Sequence, residues 1–250
     1  MSTVRLAVLG DVHGNVTALE AALADIKRRK ADRILVTGDL VLNGPRPAET
    51  VTRVQELEAI GALVIQGNTD IAVADGDFAA AFPWMEDVPL AQRAAAEWAR
   101  EQLSESQLDF LRRLPAERRL WVDDTLVLVC HGSPGSQTSG LALDLDPAVT
   151  VERVTRTDAR VVCCGHTHVA DIRELGRKLI VNPGSCGYAF DGEPTANWAV
   201  LTIDSETDSP SAEVHRPDYD AQKASEEVSE RGLPGDVYRA ATIRSGRLIR

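Results

Sequence analysis

Residues 5–14 read RLAVLGDVHG: an unbroken apolar run, Leu6 to Leu9, stops at a glycine and is followed by Asp11 and His13. A short Val/Leu run without polar alternation suits a strand buried on both faces, and the glycine-led polar turn ends it. The device recurs as RILVTGDL at 33–40, ALVIQGNTD at 62–70, TLVLVCHGSP at 125–134, RVVCCGHTH at 160–168 and KLIVNPGS at 178–185. NWAVLTID at 197–204 is strand-like but lacks the glycine. Amphipathic helices fill the gaps between the first three runs. Residues 16–30 put Val16, Leu19, Leu23 and Ile26 on one face and end in a basic cluster that suits a helix C-terminus. Residues 47–60 open on Pro47, carry Val51, Val54 and Leu57, and stop at Gly61. The order β-α-β-α-β predicts an α/β fold with parallel strands and right-handed crossovers.

Residues 71–119 break this rhythm. Alanine-rich AQRAAAEWAREQL and then SESQLDFLRRL, with Ser104 and Gln107 spaced as a capping box, predict two helices. We read 71–119 as a helical cap inserted into a single domain spanning 1–250. A polar loop is expected around 204–211 and a terminal helix over 221–231.

The composition, 44% hydrophobic and 26% charged over 250 residues, is that of a globular chain able to bury a large core. A formal net charge of −11 argues against a protein that grips a long nucleic acid. A small anionic substrate remains compatible, because bound cations reverse the local potential. The start MSTVRLAVLGD has no basic n-region, and no run reaches the roughly 18 apolar residues of a membrane helix. The four cysteines sit mostly in apolar contexts, which predicts reduced thiols and a cytoplasmic protein. Cys163 and Cys164, adjacent on a strand, point to opposite faces and so cannot both ligate one ion.

Four of the five histidines, His13, His131, His166 and His168, follow a predicted strand within three residues. In an α/β sheet that edge is where ligands bind, and Asp11, Asp39 and Asn68 belong to the same edge. Each turn alone is unremarkable, but five of them at one edge form a constellation. Carboxylate, imidazole and amide oxygen together make an O/N donor set suited to Mn²⁺, Fe, Zn²⁺ or similar divalent ions. Seven donors exceed the four of a structural zinc site and fit two adjacent ions sharing one carboxylate. Such a pair predicts hydrolysis of a phosphate ester.

The order Asp-x-His, Gly-Asp, Gly-Asn, His-Gly, Gly-His-x-His resembles the calcineurin-like metallophosphoesterase superfamily. GDLVLNGPRPAE, CHGSP and NPGSCG further resemble a small prokaryotic phosphodiesterase-like branch, some members of which hydrolyse diadenosine tetraphosphate. The resemblance implies two facing mixed β-sheets flanked by helices. It implies that Asp11, His13 and His168 hold one ion and Asn68, His131 and His166 the other, with Asp39 bridging. It further implies that Mn²⁺, or Fe, Zn, Co or Ni, serves as cofactor and that a metal-bridging hydroxide attacks a small phosphate ester or nucleotide. His166 and His168 act together only if the chain bends between them, which Gly165 permits.

Many members of the superfamily carry histidine after the Gly-Asn pair; here the residue is Thr69, and the related branch often has cysteine. A threonine hydroxyl donates a hydrogen bond but is no acid near neutral pH. Either Asp70 protonates the leaving group or no residue does, which favours good leaving groups. Asn68, Thr69 and Arg46 are the candidate substrate contacts, with a solvated loop position the alternative for Arg46. Trp84 and Trp98 either pack the cap or stack on a base, and His215 is expected at the surface. A catalytically silent scaffold of the same fold is the alternative function; the retention of all seven donors argues against it.

Overall fold

The computed structural model describes residues 3–204 and 209–250, so 205–208, within the expected polar loop, lie outside the described residues. Strand β1 (Thr3–Leu9) leads through helix α1 (Val16–Arg29) to β2 (Arg33–Val36), then through α2 (Pro47–Ala59) to the short β3 (Leu63–Val64). Four helices follow: α3 (Asn68–Asp75), α4 (Phe78–Ala81), α5 (Leu90–Gln102) and α6 (Glu105–Arg113). Next come β4 (Glu117–Val122), β5 (Thr125–Cys130), α7 (Pro147–Val154), β6 (Val161–Cys163), β7 (Ala170–Leu175) and β8 (Lys178–Pro183). The chain closes with β9 (Trp198–Asp204), β10 (Ser211–His215), α8 (Ala221–Glu230) and α9 (Asp236–Ser245).

The strands form two five-stranded mixed sheets, β10-β9-β1-β2-β3 and β4-β5-β6-β8-β7, as the resemblance implied. Each contains three parallel strands, β1-β2-β3 in one, flanked on the β1 side by antiparallel β9 and β10, and β5-β6-β8 in the other, flanked on both sides by antiparallel β4 and β7. The apolar runs are buried on both faces, for the expected reason. Leu6, Val8, Leu35 and Ile65 pack against Val127, Val129, Cys163 and Val181 between the sheets. The alternate residues Ala7, Leu9 and Val36 face helices with Leu19, Val54 and Phe110. On the far side, Leu128, Cys164 and Ile180 pack with Val154. Cys163 and Cys164 thus lie on opposite faces of their sheet. Each fully buried Val, Leu or Ile contributes about 1.5–3 kcal/mol relative to exposure.

Register sets the site. Leu9 is the partner of Val36 and Val36 of Val64, so β1, β2 and β3 end level. Val129, Cys163 and Val181 are likewise level in the second sheet. The turns that follow all six parallel strands therefore meet at one rim.

The helices begin and end largely where the caps direct. Asn15 Oδ1 accepts from the Ala18 N–H at 3.2 Å, and Lys30 ends α1 in the left-handed region. Ser104 and Gln107 form the capping box of α6. The cap region holds more than two helices: α3 already starts at Asn68, and β4 takes up Glu117–Val122 as an edge strand against β5. The terminal helix over 221–230 is followed by α9, which the sequence reading left out. No helix among the described residues is long and apolar enough to cross a membrane.

Candidate metal centre

Two glycines explain how closely the rim turns approach each other. A Cβ at Gly67 would land on the Asp39 carboxylate, and one at Gly165 on that of Asp11. Gly165 serves by this clearance; the bend itself is made by its neighbours. Of the eight non-glycine residues with positive φ among the described residues, five are Asp11, His13, Asp39, His166 and His168. Backbone strain of this kind costs about 1–3 kcal/mol per residue and persists where the surroundings over-determine it. Its concentration on five of the seven predicted donors shows that the fold stores strain at this rim.

The donors converge in two groups that share Asp39. Asp11, His13, Asp39 and His168 place ligand atoms within 4.8 Å of one another, as do Asp39, His131 and His166. Asn68 joins the second group, with its Oδ1 3.0 Å from His131 Nε2 and 3.0 Å from His166 Nδ1. The seven predicted donors are brought together and, apart from His166, are buried.

Hydrogen bonds behind the rings fix the tautomers. His13 Nδ1 lies 2.7 Å from the Leu42 carbonyl, His168 Nδ1 2.5 Å from that of Tyr188, and His131 Nδ1 2.7 Å from that of Thr37. A carbonyl only accepts, so each Nδ1 carries the hydrogen, and in the neutral rings of His13 and His168 Nε2 turns a lone pair to the centre. His13 Nε2 and His168 Nε2 nevertheless face each other at 3.1 Å. Two lone pairs cannot hydrogen-bond. Asp39 Oδ2 lies 3.6 Å from His13 Nε2 and Asp11 Oδ1 3.4 Å from His168 Nε2. In the second group, Asn68 Nδ2 donates to the Ala81 carbonyl at 2.9 Å, which turns Oδ1 inward. In both groups oxygen and nitrogen ligand atoms converge, a donor chemistry that fits a divalent cation.

Electrostatics agree. Burial holds His13 and His168 below their ordinary range and brings His166 down to about 4, so these rings are neutral ligands. Burial works to raise Asp39, but the charge of His131 and its hydrogen bond outweigh it and keep the carboxyl ionised. His131 resists its own burial because Asp39 and Asp11 hold it protonated. Burial, with Asp39 adding, pushes Asp11 up to about 8 against the pull of His131.

The remaining predicted residues separate. Thr69 lies at the site: its N–H donates to Asp39 Oδ1 at 2.9 Å, and its buried hydroxyl has no partner. Asp70 lies beneath it, fully buried. Its Oδ2 accepts from the N–H groups of Asp39 (3.0 Å) and Gly67 (2.9 Å), and its Oδ1 accepts from Leu40 (2.7 Å). Arg46 faces elsewhere, with Nε donating to Glu227 Oε2 at 2.9 Å and a second bond to the same carboxylate. His215 is 7% exposed against Trp198, so the expectation of a surface histidine is corrected: the ring fills a gap beside a buried indole. Trp98 packs in the cap under the Arg231 guanidinium, whereas Trp84 is 54% exposed beside His166.

Sequence reasoning missed the support supplied from far along the chain. Tyr188 presents its carbonyl to His168, and Phe190 stacks on the same ring, centroids 4.2 Å apart. Arg231 donates to the carbonyls of Asn43 and Gly44, in the turn after Asp39, while Asp236 pairs with Arg231 and Arg239. No local spacing signals such partners.

A profile for the calcineurin-like phosphoesterase superfamily domain matches residues 4–206. The fold superposes on the crystal structure of a metallophosphoesterase from Sphaerobacter thermophilus with a TM-score of 0.76 at 26% identity, covering 98% of this chain and 100% of that one. The chain is 26% identical over 244 residues to an uncharacterized protein of Methanocaldococcus jannaschii, spanning 92% of this chain and 93% of the relative. A shorter stretch of 66 residues, 26% of this chain and 23% of the relative, is 41% identical to the symmetrical bis(5'-nucleosyl)-tetraphosphatase of Psychromonas ingrahamii.

Proposed function

The chain belongs to the calcineurin-like phosphoesterase superfamily, and on that premise we propose that it hydrolyses phosphodiesters or nucleotide phosphoanhydrides with two divalent cations, Mn²⁺ foremost. The observation that carries this reading is the pair of imidazole Nε2 atoms facing each other at 3.1 Å with both Nδ1 atoms committed to carbonyls. Asp11, His13 and His168 would hold one ion, Asn68, His131 and His166 the other, and Asp39 both. Bound there, the ions would supply Lewis acidity toward a phosphoryl oxygen and lower the pKa of a coordinated water.

The chain's own residues do the rest. Asn68, its amide oriented by Ala81, presents an oxygen of fixed direction. The first N–H groups of α3 favour negative charge at Asp39, and the Thr69 N–H binds that carboxylate directly. The unpartnered Thr69 hydroxyl is the donor available to a phosphoryl oxygen. Burial and the Asp39 charge push Asp70 up to about 7, but both its oxygens accept from backbone N–H groups, three in all, so it acts as a positioning residue for the Asp39 turn rather than as a proton donor. Arg46, doubly bonded to Glu227, braces α8 rather than substrate. With no acid to protonate the departing oxygen, substrates whose leaving group is already a weak base are favoured, and phosphoanhydrides are of that kind. The local likeness to a nucleosyl tetraphosphatase supports the same class. Four free, buried cysteines support a reducing compartment such as the cytoplasm.

The test is turnover of bis-p-nitrophenyl phosphate and of a symmetrical dinucleoside tetraphosphate with Mn²⁺, Co²⁺, Ni²⁺ or Fe²⁺. Activity with at least one metal, abolished by a chelator, is the expected result. Absence of turnover with all four would falsify the reading.

A further inference from the structure

We propose that Trp84 and Tyr238 form a base-binding wall beside the metal cluster, which selects phosphate esters and anhydrides that carry a nucleoside. The proposal rests on the hydrolytic reading above and narrows it to a substrate class.

The donor cluster opens into a cavity of about 630 Å³, a size typical of small-molecule sites. Three segments remote in sequence supply most of its apolar lining: Phe82, Trp84 and Met85 from the cap, Tyr188 and Phe190 after β8, and Tyr238, Leu248 and Ile249 from the C-terminal region. Trp84 is 54% exposed and Tyr238 50%, although both line a concave surface. Large rings left half in water at the rim of a polar site are surface awaiting an apolar partner.

The indole is held without being covered. Phe82 meets it at 5.9 Å and 83°, and His166 at 6.0 Å and 73°, both edge-to-face. Neither ring lies parallel to it, so a stacking position stays open next to His166. Offset stacking of a planar heterocycle on such a face is favourable and tolerant of base identity. Apart from Asp39, no aspartate or glutamate lines the cavity among the described residues, while Arg239, already paired with Asp236, and Arg250 each bring a guanidinium to it. The lining thus combines aromatic faces with a charge balance that accepts an anion. A nucleotide presents both features, with phosphate toward the donors and base toward Trp84. A short alkyl phosphate would leave the indole face unmatched.

The test is isothermal titration of the Mn²⁺-loaded protein with adenosine 5'-monophosphate and with ribose 5-phosphate. Adenosine 5'-monophosphate should bind at least tenfold tighter, equivalent to about 1.4 kcal/mol. Trp84→Ala should bring the ratio below about threefold by weakening the nucleotide alone, and Trp84→Phe should restore part of it. Equal affinities in the wild type, no measurable nucleotide binding, or a ratio unchanged by Trp84→Ala would each overturn the wall. Hydrolysis of bis-p-nitrophenyl phosphate on the same preparations separates the two levels. A protein that turns over this ester but lacks the tenfold preference sinks the wall alone. A protein that keeps the preference but hydrolyses no phosphate ester sinks the activity alone.

Discussion

Thr69 and Asp70, neighbours in sequence, have opposite fates in the fold. The Thr69 hydroxyl is buried without a partner, a condition that costs about 1–3 kcal/mol when no ligand relieves it. Thr69→Val keeps the shape and removes the hydroxyl. It should leave the melting temperature unchanged or raise it, while weakening inorganic phosphate binding several-fold by calorimetry. A fall in both would instead mark the side chain as packing. Asp70→Asn replaces one acceptor oxygen by an NH₂ group that meets a backbone donor, and should destabilise the protein by about 1–3 kcal/mol in denaturant unfolding. If Asp70 only positions the Asp39 turn, rates on p-nitrophenyl and alkyl leaving groups should fall by the same factor. A selective loss on the alkyl ester would restore its role as an acid. The sequence made both residues candidates, but it could not show which of two adjacent side chains turns inward. A helix that starts at Asn68 turns successive residues in different directions, and that start became visible only in the fold.

At the scale of elements, the parallel centre was legible because each of its strands carries its own stop. Leu9, Val36 and Val64 end their strands within a few residues of a glycine, and helices α1 and α2 fall within a residue of the expected limits. What stayed hidden was β4, β7, β10 and α9. Their burial is partial, so their hydrophobic pattern is weak, and their pairing depends on partners distant in the chain. Helix α1 shows how such long-range ties stabilise a local element. Asp25 is buried near its C-terminal end, bonded to Arg29 Nε and to Trp198 Nε1 of β9, each at 3.0 Å. Burial opposes ionisation of Asp25, but these bonds and the charges of Arg29 and Arg28 prevail and hold its pKa below the usual value. A depressed carboxylate contributes stability above its unfolded pKa of about 3.9 and loses it as pH falls through the folded value. Asp25→Asn should therefore cost about 1 kcal/mol at pH 7, and the gap in melting temperature should close below about pH 4. A gap independent of pH would assign the loss to geometry instead of charge.

For the molecule as a whole, the site belongs to neither sheet alone. Asp11, Asp39 and Asn68 come from one, His131, His166 and His168 from the other, and the cap and C-terminal helices wall the cavity between. The donors could be read in the sequence because they sit in short motifs at strand ends. The cavity could not, because Trp84 and Tyr238 come to line it together only through tertiary folding and neither carries a local signature. This construction makes the donor cluster a clasp between the sheets whose strength depends on a cation. A ligand that binds only the folded state stabilises it by about 2.7 kcal/mol at a hundredfold excess over its dissociation constant. In a chain of this length each kcal/mol shifts the melting temperature by about 2–4 °C. Saturating Mn²⁺ should therefore raise the melting temperature by roughly 5–10 °C in scanning fluorimetry, and a chelator should reverse the change. Asp39→Asn, which weakens the one carboxylate common to both groups, should cut the shift to about 2 °C or less and lower the metal content of the purified protein. A wild-type protein that purifies metal-free and does not respond to Mn²⁺, Co²⁺, Ni²⁺ or Fe²⁺ would refute a metal centre at the facing imidazoles of His13 and His168.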